Sequence, residues 1–151
     1  MSCPIPLSDR WAVSKRLRAV LLLFLLVCLV GCASVAEDAF LYSTADVTAY
    51  LQTYGELPDN FITRQEAYDL GWEPDEGNLW EVADGCCIGG DRFGNREGLL
   101  PEKTGRDWTE ADINYSGGYR GAERIVFSDD GLIYYTDDHY DSFEYIGEYE
   151  P

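Results

Sequence analysis

The chain has 151 residues, of which 46% are hydrophobic, so it is long enough for one globular domain and a short extra segment. Its formal net charge is −17, and the residues after Cys32 include only seven basic side chains against 27 acidic ones. Composition alone therefore argues against a polyanionic partner.

The first 32 residues have the pattern of an export signal. Lys15, Arg16 and Arg18 precede an unbroken apolar run of 13 residues, Ala19 to Gly31. Such a run is short for a membrane span, and it is typical of the apolar core of a signal peptide. We therefore predict an exported protein that is extracellular or attached to the cell surface.

The apolar run ends in Leu29-Val30-Gly31-Cys32, which resembles the lipobox of bacterial lipoproteins. There the cysteine becomes the lipid-modified first residue, and the lipid attaches the protein to a membrane. We predict a signal peptide over residues 1–32, lipidation at Cys32 and a tether over residues 33–43. Two alternatives remain open: ordinary signal cleavage after Ala36, and an uncleaved anchor helix.

Three short helices are predicted next. They extend from Thr44 or Asp46 to Gly55, from Thr63 to Gly71, and from Asn78 to about Gly85. Apolar residues recur at helical intervals in the first. Thr63 followed by Glu66 has the spacing of a capping box, and Asn78 followed by Glu81 is a candidate cap for the third helix.

Beyond residue 85 the pattern becomes strand-like. Five strands are predicted, over Cys87–Arg92, Asp107–Ile113, Glu123–Ser128, Leu132–Thr136 and Phe143–Ile146. Asp130-Gly131 between two β-rich runs is a strong hairpin signal. Helices followed by strands predict an α+β domain over residues 44–151, with short N-terminal helices packed on a C-terminal antiparallel sheet of about five strands.

Single polar residues carry little information on their own. His139 is the only histidine, and it lies beside the end of a predicted strand; a lone histidine is more often a surface or capping residue than a catalyst. Alternation places Trp108, Glu110 and Asp112 on the same face of a strand, where an acid among apolar residues is unusual. In so acidic a chain, a solvated sheet face is the ordinary explanation.

Longer motifs favour a functional explanation for these residues. They are YLQTY (50–54), LPDNFIT (57–63), LGW (70–72), GNL (77–79), IGGDRFGNREG (88–98), GRDWTEADINY (105–115) and YTDDHYDSF (135–143). In this order they resemble the barnase–binase family of secreted bacterial guanyl-preferring ribonucleases, and the resemblance covers nearly the whole predicted domain. It implies the α+β fold of that family.

The resemblance also implies a reaction. Family members cleave single-stranded RNA after guanosine by forming a 2′,3′-cyclic phosphate that is then hydrolysed, with no metal or other cofactor. Glu110 stands at the position of the general base and His139 at that of the general acid. Arg120 and Arg124 match the phosphate-binding arginines. Tyr140 matches a tyrosine that contacts the substrate.

The family's guanine site corresponds to Phe93, Gly94, Asn95, Arg96 and Glu97. Guanine presents two donors, N1–H and the N2 amine, which one carboxylate such as that of Glu97 can accept together. Backbone N–H groups of Asn95 and Arg96 can donate to O6. Adenine would leave these groups unpaired, which is how hydrogen bonding produces discrimination.

The sequence departs from the family at several positions. Arg64 replaces a functionally important lysine, which keeps the charge but not the geometry, and Gly94 replaces a serine. Cys86-Cys87 has no counterpart. A strained vicinal disulfide, two buried thiols and an intermolecular bridge remain open for this pair.

The resemblance implies partners as well. These are the RNA substrate and a small acidic inhibitor of the barstar type, and the enzyme is expected to be a monomer. The acidic charge favours an alternative, a catalytically inactive RNA-binding or surface-adhesion lipoprotein of the same fold. The joint presence of the general base, the general acid, both arginines and Glu97 argues against it.

Overall fold

The computed structural model describes residues 40–151. The predicted signal peptide, Cys32 and the first part of the tether lie outside the described residues. The described end of the tether packs on the domain, where the Leu41 N–H donates to Asn60 Oδ1 at 3.4 Å and Asn60 Nδ2 donates back to the Leu41 carbonyl at 3.1 Å. Within residues 40–151, none of the helices is long and apolar enough to cross a membrane.

Helix α1 (Thr44–Tyr54) begins after Ser43, whose hydroxyl accepts from the Asp46 N–H at 3.1 Å. It ends at Gly55, which has the left-handed φ of 73° that glycine adopts without strain. Helix α2 (Arg64–Asp69) has the predicted capping box, with Thr63 and Glu66 bonded reciprocally. Helix α1 therefore ends, and helix α2 begins, where the local residues predict.

Helix α3 (Leu79–Val82) is shorter than predicted and ends three residues before Gly85. The predicted cap is wrong, because the side chain of Asn78 makes no bond to this helix. It accepts instead from the Glu73 N–H at 2.7 Å and donates to the Gly71 carbonyl at 3.2 Å. The amide of Asn78 thus closes the preceding loop.

A six-stranded sheet follows the chain order β1 to β6. Its strands are β1 (Phe61–Ile62), β2 (Cys87–Phe93), β3 (Trp108–Asp112), β4 (Arg124–Ser128), β5 (Leu132–Thr136) and β6 (Glu144–Glu148). The five predicted strands are all present and antiparallel. The additional strand β1 pairs with β2 in parallel, and two residues are too few to show a periodicity.

The two faces of the sheet have different tasks. On one face Ala111 and Ile125 pack with Val47 and Leu51 of α1 in the main core. The opposite face has a smaller core in which Trp108 packs with Val126 and Leu100. This second face also presents buried charged residues, and it carries the candidate site.

Cys86 and Cys87 are both free thiols, so the strained vicinal disulfide is not formed. Cys87 is buried in the cluster with Trp72 and Leu79, and burial raises the pKa of its thiol to about 12. Cys86 is half-buried, and its carbonyl accepts from Trp80 Nε1 at 2.8 Å.

Candidate active site

Glu110 lies in the middle of β3, and only 6% of its surface is exposed. Its two oxygens have different partners: Oε1 accepts from Nη2 of Arg64, and Oε2 accepts from the hydroxyl of Tyr140 at 2.6 Å. A buried carboxylate requires such partners. With both oxygens bound, its orientation is fixed, and a fixed acceptor of this kind can remove a proton from a hydroxyl brought against it.

Arg64 is held in turn by Asp91. One oxygen of Asp91 accepts from the Arg64 backbone N–H at 2.9 Å and from its Nε at 3.1 Å. Asp91 reaches this place because β2 changes register between Gly89 and Asp91, which brings Asp91 opposite Glu110. Gly90, with φ 94°, is the residue that accommodates the bulge.

Tyr140 links Glu110 to a second arginine. Its hydroxyl donates to Glu110 and accepts from Nε of Arg124 at 3.2 Å. Burial, followed by the bond to Glu110, raises the pKa of Tyr140 to about 12. The hydroxyl therefore stays protonated, and remains a donor to Glu110, throughout the range in which a protein works.

Asp112, two residues after Glu110 on the same face of β3, holds two arginines at once. Its Oδ2 accepts from Arg120 Nε and its Oδ1 from Arg120 Nη2, both at 2.6 Å, and Arg124 Nε lies 2.8 Å from the same Oδ1. Arg124 also donates to the carbonyls of Gly121 and Glu123, each at 2.7 Å. Both guanidinium groups are thus fixed beside Glu110.

His139 is exposed and lies in a strained turn after β5. Its φ is 57° and that of Tyr140 is 76°, both in the left-handed region that such residues rarely adopt. Asp138 stabilises the turn by accepting from the Thr136 hydroxyl at 2.8 Å and from the Ser142 N–H at 2.9 Å. The bonds from Ser142 and Thr136 lower the pKa of Asp138 to about 2.

The imidazole of His139 lies beside the ring of Tyr140, with 4.8 Å between the ring centres. Tyr140 itself bonds Glu110, so one ring separates the exposed imidazole from the buried carboxylate. A carboxylate and an imidazole in this relation can serve as a base and an acid for one transfer reaction.

The loop after β2 is connected to the same cluster. Phe93 stacks on Tyr140, with the ring centres 5.2 Å apart and an interplanar angle of 25°. Asn95, with φ 42°, closes the loop by donating to the Leu100 carbonyl at 2.9 Å and accepting from the Leu100 N–H at 3.0 Å. The side chain of Asn95 is therefore used in hydrogen bonds within the loop, while Arg96 and Glu97 lie exposed on it.

Comparison with known proteins gives the family of the chain. A family model described as ribonuclease matches residues 44–147. The chain belongs to this ribonuclease family. The resemblance that the motifs indicate is thereby confirmed.

The relatives match at high identity. A ribonuclease of Heyndrickxia coagulans is 57% identical over 100 residues, which are 66% of this chain and 92% of the relative. A ribonuclease of Bacillus intermedius has the same identity, and the match spans 62% of that protein. Guanyl-specific ribonuclease St of Saccharopolyspora erythraea is 46% identical over 52 residues, 34% of this chain and 52% of the relative.

The structure brings most of the predicted family residues together. Arg64, Glu110, Arg124 and Tyr140 are joined by hydrogen bonds, and Arg120 is joined to Arg124 through a shared carboxylate. His139 and Phe93 touch this group through the ring of Tyr140. Gly94, Arg96 and Glu97 stay exposed on the loop after β2 and lie outside the hydrogen-bonded group.

Three supporting acids were not predicted, namely Asp91, Asp112 and Asp138. Each holds a residue of the site: Asp91 holds Arg64, Asp112 holds the two other arginines, and Asp138 holds the turn of His139. The alternation that places Asp112 on the same strand face as Glu110 was the one available signal. The other two depend on a bulge and on a turn.

Proposed function

We propose that this chain is an endoribonuclease that cleaves single-stranded RNA after guanosine, without a metal, first to a 2′,3′-cyclic phosphate and then by hydrolysis. The observation that carries the proposal is the buried carboxylate of Glu110, held by Arg64 and Tyr140 next to Arg124. Membership of the ribonuclease family supports the reaction, and the relative named as guanyl-specific supports the base preference.

In the first step Glu110 removes the proton of the ribose 2′-hydroxyl, and the 2′-oxygen attacks phosphorus. The bond from phosphorus to the 5′-oxygen of the next nucleotide breaks, and His139 gives that oxygen a proton. In the second step the roles reverse: deprotonated His139 takes a proton from water, and the water oxygen attacks phosphorus. The bond from phosphorus to the 2′-oxygen breaks, and Glu110 returns its proton to that oxygen. Both residues end in their starting states.

Charge builds on the equatorial oxygens of the phosphate during each step. Arg120 and Arg124 can stabilise this negative charge, because Asp112 fixes both guanidinium groups before the substrate arrives. Each guanidinium has five N–H donors, and Asp112 takes only those on one edge of Arg120. Fixed donors of this kind need no rearrangement when the charge develops, which is how they lower a barrier.

Guanine recognition is assigned to the loop after β2. The carboxylate of Glu97 accepts N1–H and the N2 amine, and backbone N–H groups of Asn95 and Arg96 donate to O6. The bonds between Asn95 and Leu100 support this role, because they brace the loop without using its backbone N–H groups at positions 95 and 96. The stack of Phe93 on Tyr140 connects the base site to the catalytic group.

We also propose that the enzyme acts outside the cytoplasm as a monomer anchored through a lipid on Cys32, and that an inhibitor of the barstar type is its protein partner. The anchor is tested by expressing the full chain in a bacterium with labelled fatty acid. Label in the membrane fraction that Cys32→Ser abolishes is the expected result. Soluble, unlabelled protein that begins near Glu37 would favour ordinary signal cleavage.

The proposed reaction is tested by digesting a defined RNA with the purified chain in EDTA and mapping the cut sites and product ends. We expect cuts after G, cyclic phosphate ends and no cleavage of DNA, which lacks the 2′-hydroxyl. Glu110→Gln and His139→Ala should each reduce the rate about 10²- to 10⁴-fold. Glu81→Gln, at an exposed position, is the matched control and should retain full activity.

A requirement for Mg²⁺, or full activity in His139→Ala, would overturn the mechanism. Tight binding of RNA by the wild-type chain without any cleavage would favour the inactive binding lipoprotein instead.

A further inference from the structure

An exposed aromatic side chain lies close to the candidate site without belonging to it. Tyr68, in α2, is 49% exposed, and its ring centre is 5.0 Å from that of Trp72 at an interplanar angle of 31°. Trp72 is buried, and the guanidinium carbon of Arg120 lies 5.8 Å from its ring centre. A single buried ring therefore separates the exposed ring of Tyr68 from an arginine of the site.

Helix α2 connects Tyr68 to the candidate site in a second, independent way. Tyr68 follows Arg64 by four residues, so the two side chains lie on the same face of the helix. Arg64 contacts Glu110 on the oxygen opposite the one that Tyr140 binds. Tyr68 is thus on the Arg64 side of Glu110, whereas Phe93 and the guanine loop are on the Tyr140 side.

The pair of rings is fixed by the way α2 ends. The Trp72 N–H donates to the Ala67 carbonyl and the Gly71 N–H to the Tyr68 carbonyl, each at 3.0 Å, which is the bonding pattern of a Schellman motif. Gly71 supplies the left-handed residue that this motif needs, with φ 98°. The chain therefore folds back so that Trp72 supports Tyr68, and the exposed ring loses little freedom when another ring stacks on it.

We propose that Tyr68 is a stacking platform for a base of the RNA outside the guanosine and the nucleotide that follows it. The inference rests on the proposed function and adds a binding subsite to it. A neutral stacking contact suits a chain with only seven cations after Cys32, because base–aromatic stacking needs no positive charge and accepts any base. The two connections to Arg64 and Arg120 place the platform where RNA leaving the cleft would meet it.

The test compares a GpN dinucleotide with a single-stranded RNA of about ten nucleotides that contains one G. Tyr68→Ala should lower kcat/KM on the longer RNA at least about 5-fold through KM, the lower end of the effect of removing one stacked base, and change the dinucleotide less than 2-fold. Tyr68→Phe should behave as wild type, because it keeps the ring. The Tyr68→Ala deficit should stay constant as salt is raised, since stacking is not a charge interaction.

Tyr54→Ala is the matched control. Tyr54 is 63% exposed, and its ring is paired with that of Tyr50 at 4.5 Å, but it lies on α1, which packs against the opposite face of the sheet from Glu110. This variant should match wild type on both substrates. An equal loss on both substrates in Tyr68→Ala would show that the ring positions Arg64 or Arg120, and it would overturn the proposal, as would no loss on either.

A binding measurement tests this inference independently of the proposed reaction. The dissociation constant is measured with the same RNA carrying 2′-deoxyguanosine, which cannot be cleaved. Weaker binding by Tyr68→Ala, with Tyr54→Ala unchanged, supports the platform even if the wild-type chain cleaves nothing. Unchanged binding by Tyr68→Ala refutes the platform even if the enzyme is active.

Discussion

Replacing Asp112 by asparagine is expected to destabilise the protein by about 3–5 kcal/mol, because removing one partner of a buried ion pair leaves charge uncompensated. The carboxylate is 4% exposed, and it lies 2.6 Å from Arg120 Nε and 2.8 Å from Arg124 Nε. Asparagine has nearly the same shape, but it carries no charge and turns one acceptor into a donor. The largest part of the loss should come from Arg124, whose side chain is 3% exposed against 21% for Arg120.

For a domain of this size, a loss of that magnitude corresponds to a fall in Tm of roughly 10–25 °C. Thermal and urea denaturation followed by circular dichroism measure it, and an unchanged urea m-value would show that only stability has changed. The control is Arg92→Ala, which removes the pair between Arg92 and Asp107, side chains that are 78% and 62% exposed. An exposed pair of this kind contributes about 0–1 kcal/mol.

A loss below about 1 kcal/mol in Asp112→Asn, or one no larger than that of Arg92→Ala, would refute the reasoning. It would mean that water or a shift of Arg124 satisfies the guanidinium groups, and that Asp112 does not hold them. Activity gives a second readout, since released arginines should lower kcat on RNA even at temperatures where the variant is fully folded.

Three further predictions concern the guanine loop, the turn of His139 and the acidic surface. Glu97→Ala should reduce the preference for G about 10- to 150-fold, which is the effect of losing one or two hydrogen bonds to a charged group. Cleavage at other bases should change little. An intact preference for G would assign recognition to the backbone alone. Asp138→Ala should lower kcat about 10- to 100-fold, because the strained turn of His139 loses its hydrogen-bond acceptor. The control is Asp137→Ala, at the exposed neighbouring position, whose kcat should stay within 2-fold of wild type. The lowered pKa of Asp138 keeps it ionised in the folded state down to about 2, so its support is complete above about pH 4 and is lost as the pH falls from there towards 2. Activity on long RNA should rise or stay flat from low to moderate salt, because salt first screens the repulsion by the acidic surface; a steep fall from the lowest salt in kcat/KM would contradict this.

The local features of the fold could be predicted where one or two residues decide them. Gly55 ends α1 and Thr63 with Glu66 begins α2, since caps depend on bonds within four residues. The side chain of Asn78 had two possible sets of partners, and only the folded loop decides between them. Strand β1 has no local signal, because its two residues are ordered by the parallel neighbour.

Some residues of the site could likewise be predicted from the sequence, and others could not. Glu110, His139 and the arginines were identified through motifs that resemble a family, and the structure gathers them around Tyr140. Alternation places Asp112 on the strand face of Glu110. The other acids that hold the site could not be identified from the sequence, because 27 acids follow Cys32 and most are exposed. What distinguishes Asp91 is a register shift in β2, which is a property of the paired strands.

The arrangement of charge in the site explains how so acidic a chain can bind RNA. Three carboxylates lie against the three arginines: Asp91, Glu110 and Asp112 against Arg64, Arg120 and Arg124. The formal charge of this group is zero, so it offers a phosphate little attraction at long range. At contact, however, guanidinium N–H groups held in fixed directions bind phosphate oxygens through charge-assisted bonds. Binding should therefore depend on directed donors and on stacked rings, which act over a few ångströms, and the acidic surface should govern mainly the rate at which RNA arrives.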